Sequence, residues 1–312
     1  MTKPHVVVIL GPTAVGKTEL SLRLAEKLNC EIVSIDSRLI YRGMDIGTAK
    51  PSQEERSQVR HHMIDIADPD EVWSLATFIK AAMEAIAGIH QRGILPLLVG
   101  GTGQYATAIL EGWTPPPLAP EPTIRHEYED FAKEHGHEKL HAELARVDPA
   151  SAERIQSTNV RRVIRALEIF RMTGIPASEF RKKSSPPYQG LRIGLQLPRE
   201  ELYTRVDARI DSMFQEGFVE EVSHLLQQGY GPDLPSMSAI GYKQVAMALR
   251  GELTMEEAAL EMRRLSRQFI RRQANWFKLS DPDIHWFEPT EGLEVTVLDL
   301  IQSWLRETQY DS

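Results

Sequence analysis

Residues near the start of the chain have the types and the spacing that bind a polyphosphate. Gly11 and Gly16 bracket four residues and are followed by Lys17 and Thr18, which is the pattern of a phosphate-binding P-loop. Its glycines allow several backbone N–H groups to point at one anion, Lys17 adds a positive charge, and the Thr18 hydroxyl can ligate Mg²⁺. The predicted phosphate-binding residues are Gly11, Pro12, Thr13, Ala14, Val15, Gly16, Lys17 and Thr18.

Asp36 comes directly after the apolar run of residues 31–35. Ligands of parallel α/β sheets bind beyond the carboxyl ends of the strands, so we expect Asp36 to face the phosphate site as a general base or an indirect Mg²⁺ ligand. The alternative is a helix N-cap, where Asp is also favoured. The glycine-punctuated residues 41–51 follow, and their spacing does not decide whether Arg42 and Lys50 contact phosphate or belong to a surface loop.

Arg205 and Arg209 lie one helical turn apart in a predicted helix over residues 199–216. Asp207 and Asp211 have the same spacing and could form solvated ion pairs with them. The alternative is that an arginine binds a phosphate group, which its planar fork suits. The residues alone favour ion pairs.

Basic residues are concentrated on two predicted helices. In the helix predicted over residues 254–279, Arg264, Arg267, Arg271 and Lys278 share one face, and no acidic residue occurs between positions 263 and 278. An unopposed basic stripe fits a phosphate backbone better than a solvated surface. Arg161, Arg162 and Arg165 lie on one side of a helix predicted over 159–172, and Arg181, Lys182 and Lys183 follow. We therefore expect a nucleic acid gripped between two basic surfaces.

Short apolar runs at residues 6–10, 31–35 and 94–99 alternate with helical patterns. Strands that are apolar on both faces predict an α/β fold, a P-loop NTPase-like parallel sheet flanked by helices. Residues 113–190 are helical and polar, so we predict that they form an all-helical insertion into a catalytic core of residues 1–112 and 191–312. A strand over 191–197, helices over 219–228 and 244–249, a strand over 284–287 and a terminal helix complete the core.

Composition indicates an ordinary globular protein, with 312 residues, 42% of them hydrophobic, and a net charge of −8. No apolar run approaches the length that spans a bilayer, and we expect no leader because the first predicted strand begins at residue 6. With one cysteine, intrachain disulfides and cysteine-rich zinc sites are excluded. We expect a cytoplasmic protein with no membrane partner. A metal site at His135, His137 and His141 is not predicted, because Gly136 interrupts that helix.

Together, five segments resemble the tRNA dimethylallyltransferases, also called tRNA isopentenyltransferases, in their compact bacterial form. The segments are GPTAVGKT (11–18), DSRLIYRGMDIGTAKP (36–51), GGTGQY (100–105), IGYKQ (240–244) and RRQANWF (271–277). The resemblance covers essentially the whole chain. It implies transfer of a dimethylallyl group from dimethylallyl diphosphate to N6 of the adenine adjacent, on the 3′ side, to the tRNA anticodon, with release of diphosphate.

The resemblance also implies roles for particular residues. Asp36 would be the general base, Thr18 would ligate an Mg²⁺ cofactor, Arg209 would contact the diphosphate, and Lys17 and Thr13 would complete the catalytic set. The helical insertion would grip the anticodon stem-loop, and the enzyme is expected to be a monomer. The implied tRNA-binding residues are Asp36, Ser37, Arg38, Leu39, Thr102, Arg125, Arg161, Arg162, Arg165, Ser238, Gly241, Tyr242, Lys243, Arg271, Arg272, Gln273, Asn275, Trp276 and Lys278.

Three other functions compete with this interpretation. A P-loop small-molecule kinase would use Asp36 to deprotonate an alcohol, but it would not need two basic helices. A prenyltransferase acting on free adenylate would not need them either. A nucleotide-gated RNA-binding module would use the basic helices and leave Asp36 without a task. One departure from the family concerns Ser238 and Ala239, where some relatives have a basic residue, which puts a phosphate contact there in doubt.

Overall fold

The computed structural model describes residues 3–116, 118, 121–181 and 186–310. Their contacts divide the chain into two compact units. The first unit comprises Met1–Val72, Ala81–Leu110 and Pro187–Ser312, and the second comprises Trp73–Lys80 and Glu111–Pro186. None of the described helices is both long and apolar enough to cross a membrane.

A parallel sheet forms the centre of the first unit. Within the described residues it has six strands in the order β3-β2-β4-β1-β5-β6, and each neighbouring pair is parallel. The strands are β1 (His5–Leu10), β2 (Cys30–Ser34), β3 (His61–His62), β4 (Leu95–Val99), β5 (Gln189–Leu195) and β6 (Ile284–Phe287). Val6, Val7, Val8 and Ile9 are 0% exposed, as expected for a strand covered on both faces. The predicted fold class is confirmed.

The described α-helices, in chain order, are α1 (Lys17–Ala25), α2 (Gln53–Gln58), α3 (Leu75–Gln91), α4 (Gly103–Glu111), α5 (Pro122–His135), α6 (His137–Val147), α7 (Pro149–Arg154), α8 (Val160–Thr173), α9 (Arg199–Gln215), α10 (Phe218–Gln227), α11 (Tyr242–Leu249), α12 (Met255–Gln273) and α13 (Leu293–Tyr310). A capping box at α12 confirms its predicted start, with the Thr254 side chain accepting from the Glu257 N–H.

The end of α12 differs from the prediction. The helix stops at Gln273 rather than near residue 279, and residues 274–276 form a turn that precedes Phe277, which is buried in the core at 7% exposed. Tertiary packing thus overrides a helical sequence pattern. Trp276 and Lys278 therefore do not continue the face of α12.

The second unit has its own apolar core, built from α6, α7, α8 and the flanking side chains of α5. Its most buried members include Leu140, Leu144 and Val163, each 0% exposed. Asp148 is also buried, and its carboxylate accepts from the backbone N–H groups of Ser151 and Ser178, at 3.0 and 2.9 Å. These bonds cap α7 and hold the chain that follows α8. The unit is thus a small helical body with a satisfied core.

Candidate active site

The P-loop between β1 and α1 adopts a conformation that only particular residues permit. Gly11 and Gly16 have φ angles of 145° and 101°, and Ala14 lies in the left-handed region at 63°. A Cβ at Gly11 would lie 2.6 Å from the Leu195 carbonyl oxygen, so a side chain there is excluded. No side chain caps α1 at Gly16, which leaves its first N–H groups for a ligand. The loop is therefore built as an anion cradle.

Lys17 is folded back onto this loop. Its ammonium donates to the carbonyl oxygens of Gly11 and Pro12, at 3.1 and 2.7 Å. Burial lowers the pKa of Lys17 to about 8, the Asp36 carboxylate opposes that change, and the Arg209 guanidinium adds to it. Lys17 thus lies near one negative and one positive group. Below pH 8 its ammonium is charged and can bind an anion.

One cavity of about 420 Å³ unites the predicted catalytic residues. Thr13, Lys17, Thr18, Asp36 and Arg209 all line it, as do Gly16 and Leu39 from the predicted binding residues. They come from the P-loop, from the chain after β2, and from α9. The P-loop follows β1, Asp36 follows β2 and α9 follows β5, and the carboxyl ends of these parallel strands lie at the same edge of the sheet.

Asp36 is held by its own chain. Its Oδ1 accepts a hydrogen bond from the Arg38 backbone N–H at 2.8 Å. No described α-helix begins at this point, so the helix N-cap alternative is wrong and the carboxylate instead closes a turn. The Arg38 guanidinium donates to the Pro235 carbonyl at 2.8 Å and to the Ser238 hydroxyl at 3.1 Å, which ties the turn to the loop before α11.

The two arginines of α9 differ in their surroundings. Arg205 pairs with Glu201 at 2.7 Å, as an ordinary ion pair one turn apart. Arg209 is half-buried and burial lowers its pKa, but no carboxylate pairs with it in the described part of the chain. The expected ion pairs with Asp207 and Asp211 are wrong for both arginines. Arg209 is therefore the one with an unopposed charge towards the cavity.

The first half of the basic stripe on α12 is opposed by acids. Arg263 pairs with Asp211, Arg267 pairs with Asp207, and Arg264 pairs with Glu261 at 2.5 Å. The expectation of an unopposed stripe is wrong here, because two of these acids come from α9, which lies far away in sequence. Among the described residues, Arg271, Arg272 and Lys278 form no ion pair, and they are exposed along with Asn275 and Trp276. The unpaired basic surface is thus confined to the end of α12.

Some implied tRNA-binding residues are buried. The Tyr242 side chain is 0% exposed and its hydroxyl donates to Glu221 at 2.6 Å, so it cannot reach a tRNA. Gly241 beside it is buried, and Gln273 is 4% exposed. Ser37, Leu39 and Thr102 are half-buried, whereas Ser238 and Lys243 are exposed. The implied tRNA contact at Tyr242 stays a prediction that the buried ring itself cannot fulfil, and the pattern of residues 240–244 does not reveal which way the ring points.

In the second unit, a buried carboxylate pairs with two of the basic residues. Glu168 is 0% exposed, accepts from Arg165 at 2.7 Å and lies 3.5 Å from Arg125. Arg161 and Arg162 are exposed on the same helix, α8. Arg165 is therefore partly a structural residue. Lys182 and Lys183 of the other predicted basic segment lie outside the described residues, as does the side chain of Arg181.

Sequence reasoning missed two groups near the site. Tyr105 of α4 is close to Asp36 and Arg38, and burial raises its pKa to about 12. Glu221 accepts from the backbone N–H groups of residues 45, 46 and 47, at 2.9, 2.7 and 3.2 Å, and so fixes the loop that continues to the cavity. Tyr105 belongs to a segment that already carries the family resemblance, but no pattern singles out Glu221.

Arg42 and Lys50 form ion pairs within the protein, so they belong to the structure around this loop rather than to a phosphate site. Arg42 pairs with Asp68 at 2.8 Å, and the buried Lys50 ammonium lies 2.5 Å from Asp45 and 2.6 Å from Asp65. Both charges are therefore paired with carboxylates of the loop or of residues 65–68.

The cavity offers oxygen donors suited to a hard cation. The Thr18 hydroxyl and the Asp36 carboxylate both line it, and these are donor types that Mg²⁺ accepts. Nowhere in the described chain do three or more His, Cys, Asp or Glu side chains form a metal-binding group, the His135 cluster included. A cation at Thr18 would therefore take most of its ligands from phosphate oxygens and water, as Mg²⁺ commonly does.

Comparisons with known proteins agree on one family. The family model described as "IPP transferase" matches residues 39–280, and that described as "Isopentenyl transferase" matches residues 4–68. A tRNA dimethylallyltransferase of Roseiflexus sp. (strain RS-1) is 48% identical over 96% of this chain and 98% of its own. The crystal structure of a full-length tRNA isopentenylpyrophosphate transferase from Bacillus halodurans has a TM-score of 0.74, with 41% identity over 99% of both chains.

A third comparison is more distant in sequence. The structure of a eukaryotic dimethylallyltransferase acting on tRNA has a TM-score of 0.75 and is 28% identical, covering 92% of this chain and 74% of its own. These relatives therefore resemble this chain over nearly its full length.

Proposed function

The chain belongs to the tRNA dimethylallyltransferase (IPP transferase) family, and on that premise we infer that it transfers a dimethylallyl group to tRNA. The donor is dimethylallyl diphosphate, and the acceptor is N6 of the adenine on the 3′ side of the anticodon. The observation that carries this proposal is the single cavity that Lys17, Thr18, Asp36 and Arg209 line. The transfer requires a site for the diphosphate, which the P-loop supplies, and a base for the amine, which a carboxylate in the same cavity supplies.

The P-loop binds the diphosphate of the donor. Its backbone N–H groups, the Lys17 ammonium and the Arg209 guanidinium face the same cavity, so they stabilise the negative charge that grows on the departing diphosphate. Mg²⁺ held by Thr18 and the phosphate oxygens would supply further neutralisation of that charge. The carbon–oxygen bond of the donor breaks, and its electron pair leaves with the diphosphate.

Asp36 takes the proton from the acceptor. As the N6 nitrogen forms its bond to the dimethylallyl carbon, it must lose one proton, and the Asp36 carboxylate accepts it. The Arg38 N–H holds this carboxylate in place from the side of its own chain. Because N6 lies within a stacked base, the adenine must leave its stack to reach the cavity.

The exposed basic residues contact the tRNA backbone. Arg271, Arg272 and Lys278 in the first unit and Arg161 and Arg162 in the second carry charges without acidic partners in the described chain. Phosphate contacts of this kind supply affinity that does not depend on sequence. The exposed Trp276 ring can stack on a base. We propose that the enzyme acts as a monomer.

A transfer assay tests this function. The protein is incubated with unmodified tRNA, MgCl₂ and labelled dimethylallyl diphosphate, and ATP with tRNA is run in parallel. Label in the tRNA establishes the reaction. If no label is transferred but tRNA stimulates ATP hydrolysis, the chain is a nucleotide-gated RNA-binding protein and the proposal is wrong.

A further inference from the structure

The side chain of Gln273, the last residue of α12, reaches two loops of the cavity at once. Its Oε1 accepts a hydrogen bond from the Thr13 backbone N–H, and its Nε2 donates to the Gly101 carbonyl oxygen, both at 3.0 Å. The residue is 4% exposed. Thr13 belongs to the P-loop, whereas Gly101 belongs to the loop between β4 and α4. One amide therefore connects the end of α12 to the P-loop and to its neighbouring loop.

The loop between β4 and α4 is shaped to admit the end of α12. A Cβ at Gly101 would lie 2.3 Å from the Gln273 Nε2, and a Cβ at Gly103 would lie 2.4 Å from the Trp276 Cβ. Neither position tolerates a side chain unless the end of α12 moves. The Gln273 amide therefore occupies the space that the missing side chain of Gly101 leaves, and Trp276 occupies the space beside Gly103.

The bond to Thr13 acts directly on the phosphate cradle. A P-loop N–H points either at the anion or at another acceptor, and at Thr13 the acceptor is Gln273. This bond sets the curvature of the loop between Gly11 and Ala14, whose left-handed backbone aims the neighbouring N–H groups. Without Gln273, the partly buried Thr13 N–H would lose its partner and the loop would relax.

We propose that Gln273 is a positioning residue of the phosphate loop, and not a tRNA contact as the family resemblance implies. It holds the loop in the shape that binds diphosphate. This inference rests on the proposed function only in that the P-loop binds the donor through its diphosphate.

Pyrophosphate binding without RNA tests the proposal. The full-length protein is titrated with inorganic pyrophosphate in MgCl₂ by calorimetry, comparing Gln273→Leu with the wild type. Loss of two neutral hydrogen bonds predicts that Kd rises about tenfold. Gln302→Leu is the matched control, because Gln302 is an exposed glutamine on α13 with no assigned binding role, and it is expected to leave the pyrophosphate Kd unchanged. In the same proteins, Gln273→Leu is expected to change tRNA affinity by less than about twofold.

A second variant perturbs the same contact from the loop between β4 and α4. Gly101→Ala places a methyl group against the Gln273 amide and is expected to weaken pyrophosphate binding by itself. In a Gln273→Ala background the contact with the amide is gone and only the Gly11 carbonyl oxygen, 3.2 Å from the added Cβ, remains close, so Gly101→Ala should have a smaller further effect. Circular dichroism and thermal unfolding confirm that each variant is folded.

An unchanged pyrophosphate Kd in folded Gln273→Leu, with tRNA affinity reduced, would overturn the inference and restore Gln273 as a tRNA contact. Additive effects of the Gly101 and Gln273 changes would also contradict it. If the wild-type protein itself does not bind pyrophosphate, it is the proposed donor site that fails.

Discussion

Arg267 on α12 is paired with Asp207 on α9, and this pairing determines which charges remain for a ligand. Arg263 pairs in the same way with Asp211, and Arg205 pairs with Glu201. Both central acids of α9 are therefore engaged by α12. In the described chain this leaves Arg209 without a carboxylate partner at the cavity, where its charge suits a diphosphate.

Replacing Arg209 should therefore harm donor binding selectively. Arg209→Ala is expected to raise KM for the donor by about 10²-fold, since a charge-assisted contact to phosphate is lost. Arg205→Ala is the comparison one turn away: Arg205 also lines the cavity, but its charge is paired with Glu201, so less than about a threefold change is expected. Steady-state kinetics at saturating tRNA measure both. Equal effects of the two variants would mean that Arg209 has no special role.

The lowered pKa of Lys17 predicts how pyrophosphate affinity depends on pH. Below pH 8 the ammonium is charged and attracts the anion, whereas above pH 8 the free protein increasingly loses that charge. Affinity should therefore fall as pH rises from 7.5 to 9.5, by up to about tenfold per pH unit once Lys17 is neutral. Titration calorimetry in MgCl₂ at several pH values measures this.

Lys17→Arg is the control for that dependence, because an arginine stays charged throughout the range. Any pH dependence of pyrophosphate itself is common to both proteins and cancels in the ratio of their affinities. A constant ratio from pH 7.5 to 9.5 would show that Lys17 does not titrate there.

The end of α12 should carry the salt dependence of tRNA binding. Arg271 is exposed and has no acidic partner in the described residues, so Arg271→Ala is expected to weaken tRNA binding and reduce the slope of log K against log salt by about one. Arg264→Ala on the same helix is the control. Arg264 already pairs with Glu261, so its removal should change the slope less. Filter binding between 50 and 250 mM salt measures the slopes, and an unaltered slope for Arg271→Ala would remove this residue from the phosphate interface.

Glu168 should stabilise the second unit. It is fully buried and accepts from Arg165 and from the Glu121 backbone N–H, so Glu168→Gln is expected to lower the free energy of unfolding by about 2–4 kcal/mol. Glu143→Gln is the control, because Glu143 forms an exposed ion pair with Arg146 and should contribute less than about 1 kcal/mol. Urea unfolding followed by circular dichroism compares them. Equal midpoints for the two variants would show that the buried carboxylate contributes nothing.

Local patterns predicted the parts of the structure that local physics determines. The P-loop, the apolar strand β1 and the capping box of α12 depend on residues that are neighbours in sequence, and the structure has all three. The two-residue strand β3 is too short to leave a periodic pattern.

What the sequence could not predict depends on contacts between distant residues. Arg267 and Asp207 are 60 residues apart, so nothing near Arg267 reveals that its charge is neutralised. Gln273 and Thr13 are 260 residues apart, and an amide that follows arginines resembles part of a basic surface. The inward direction of the Tyr242 ring is likewise a property of the packed core.

The most direct test of the central claim is the turnover of Asp36→Asn with labelled dimethylallyl diphosphate, measured together with its tRNA affinity. Asparagine has nearly the same shape and can still accept from the Arg38 N–H, but it cannot take a proton. We predict that transfer falls by about 10²–10⁴-fold while the Kd for tRNA changes by less than about threefold. Transfer at the wild-type rate would contradict the account, because Asp36 would then not be the base.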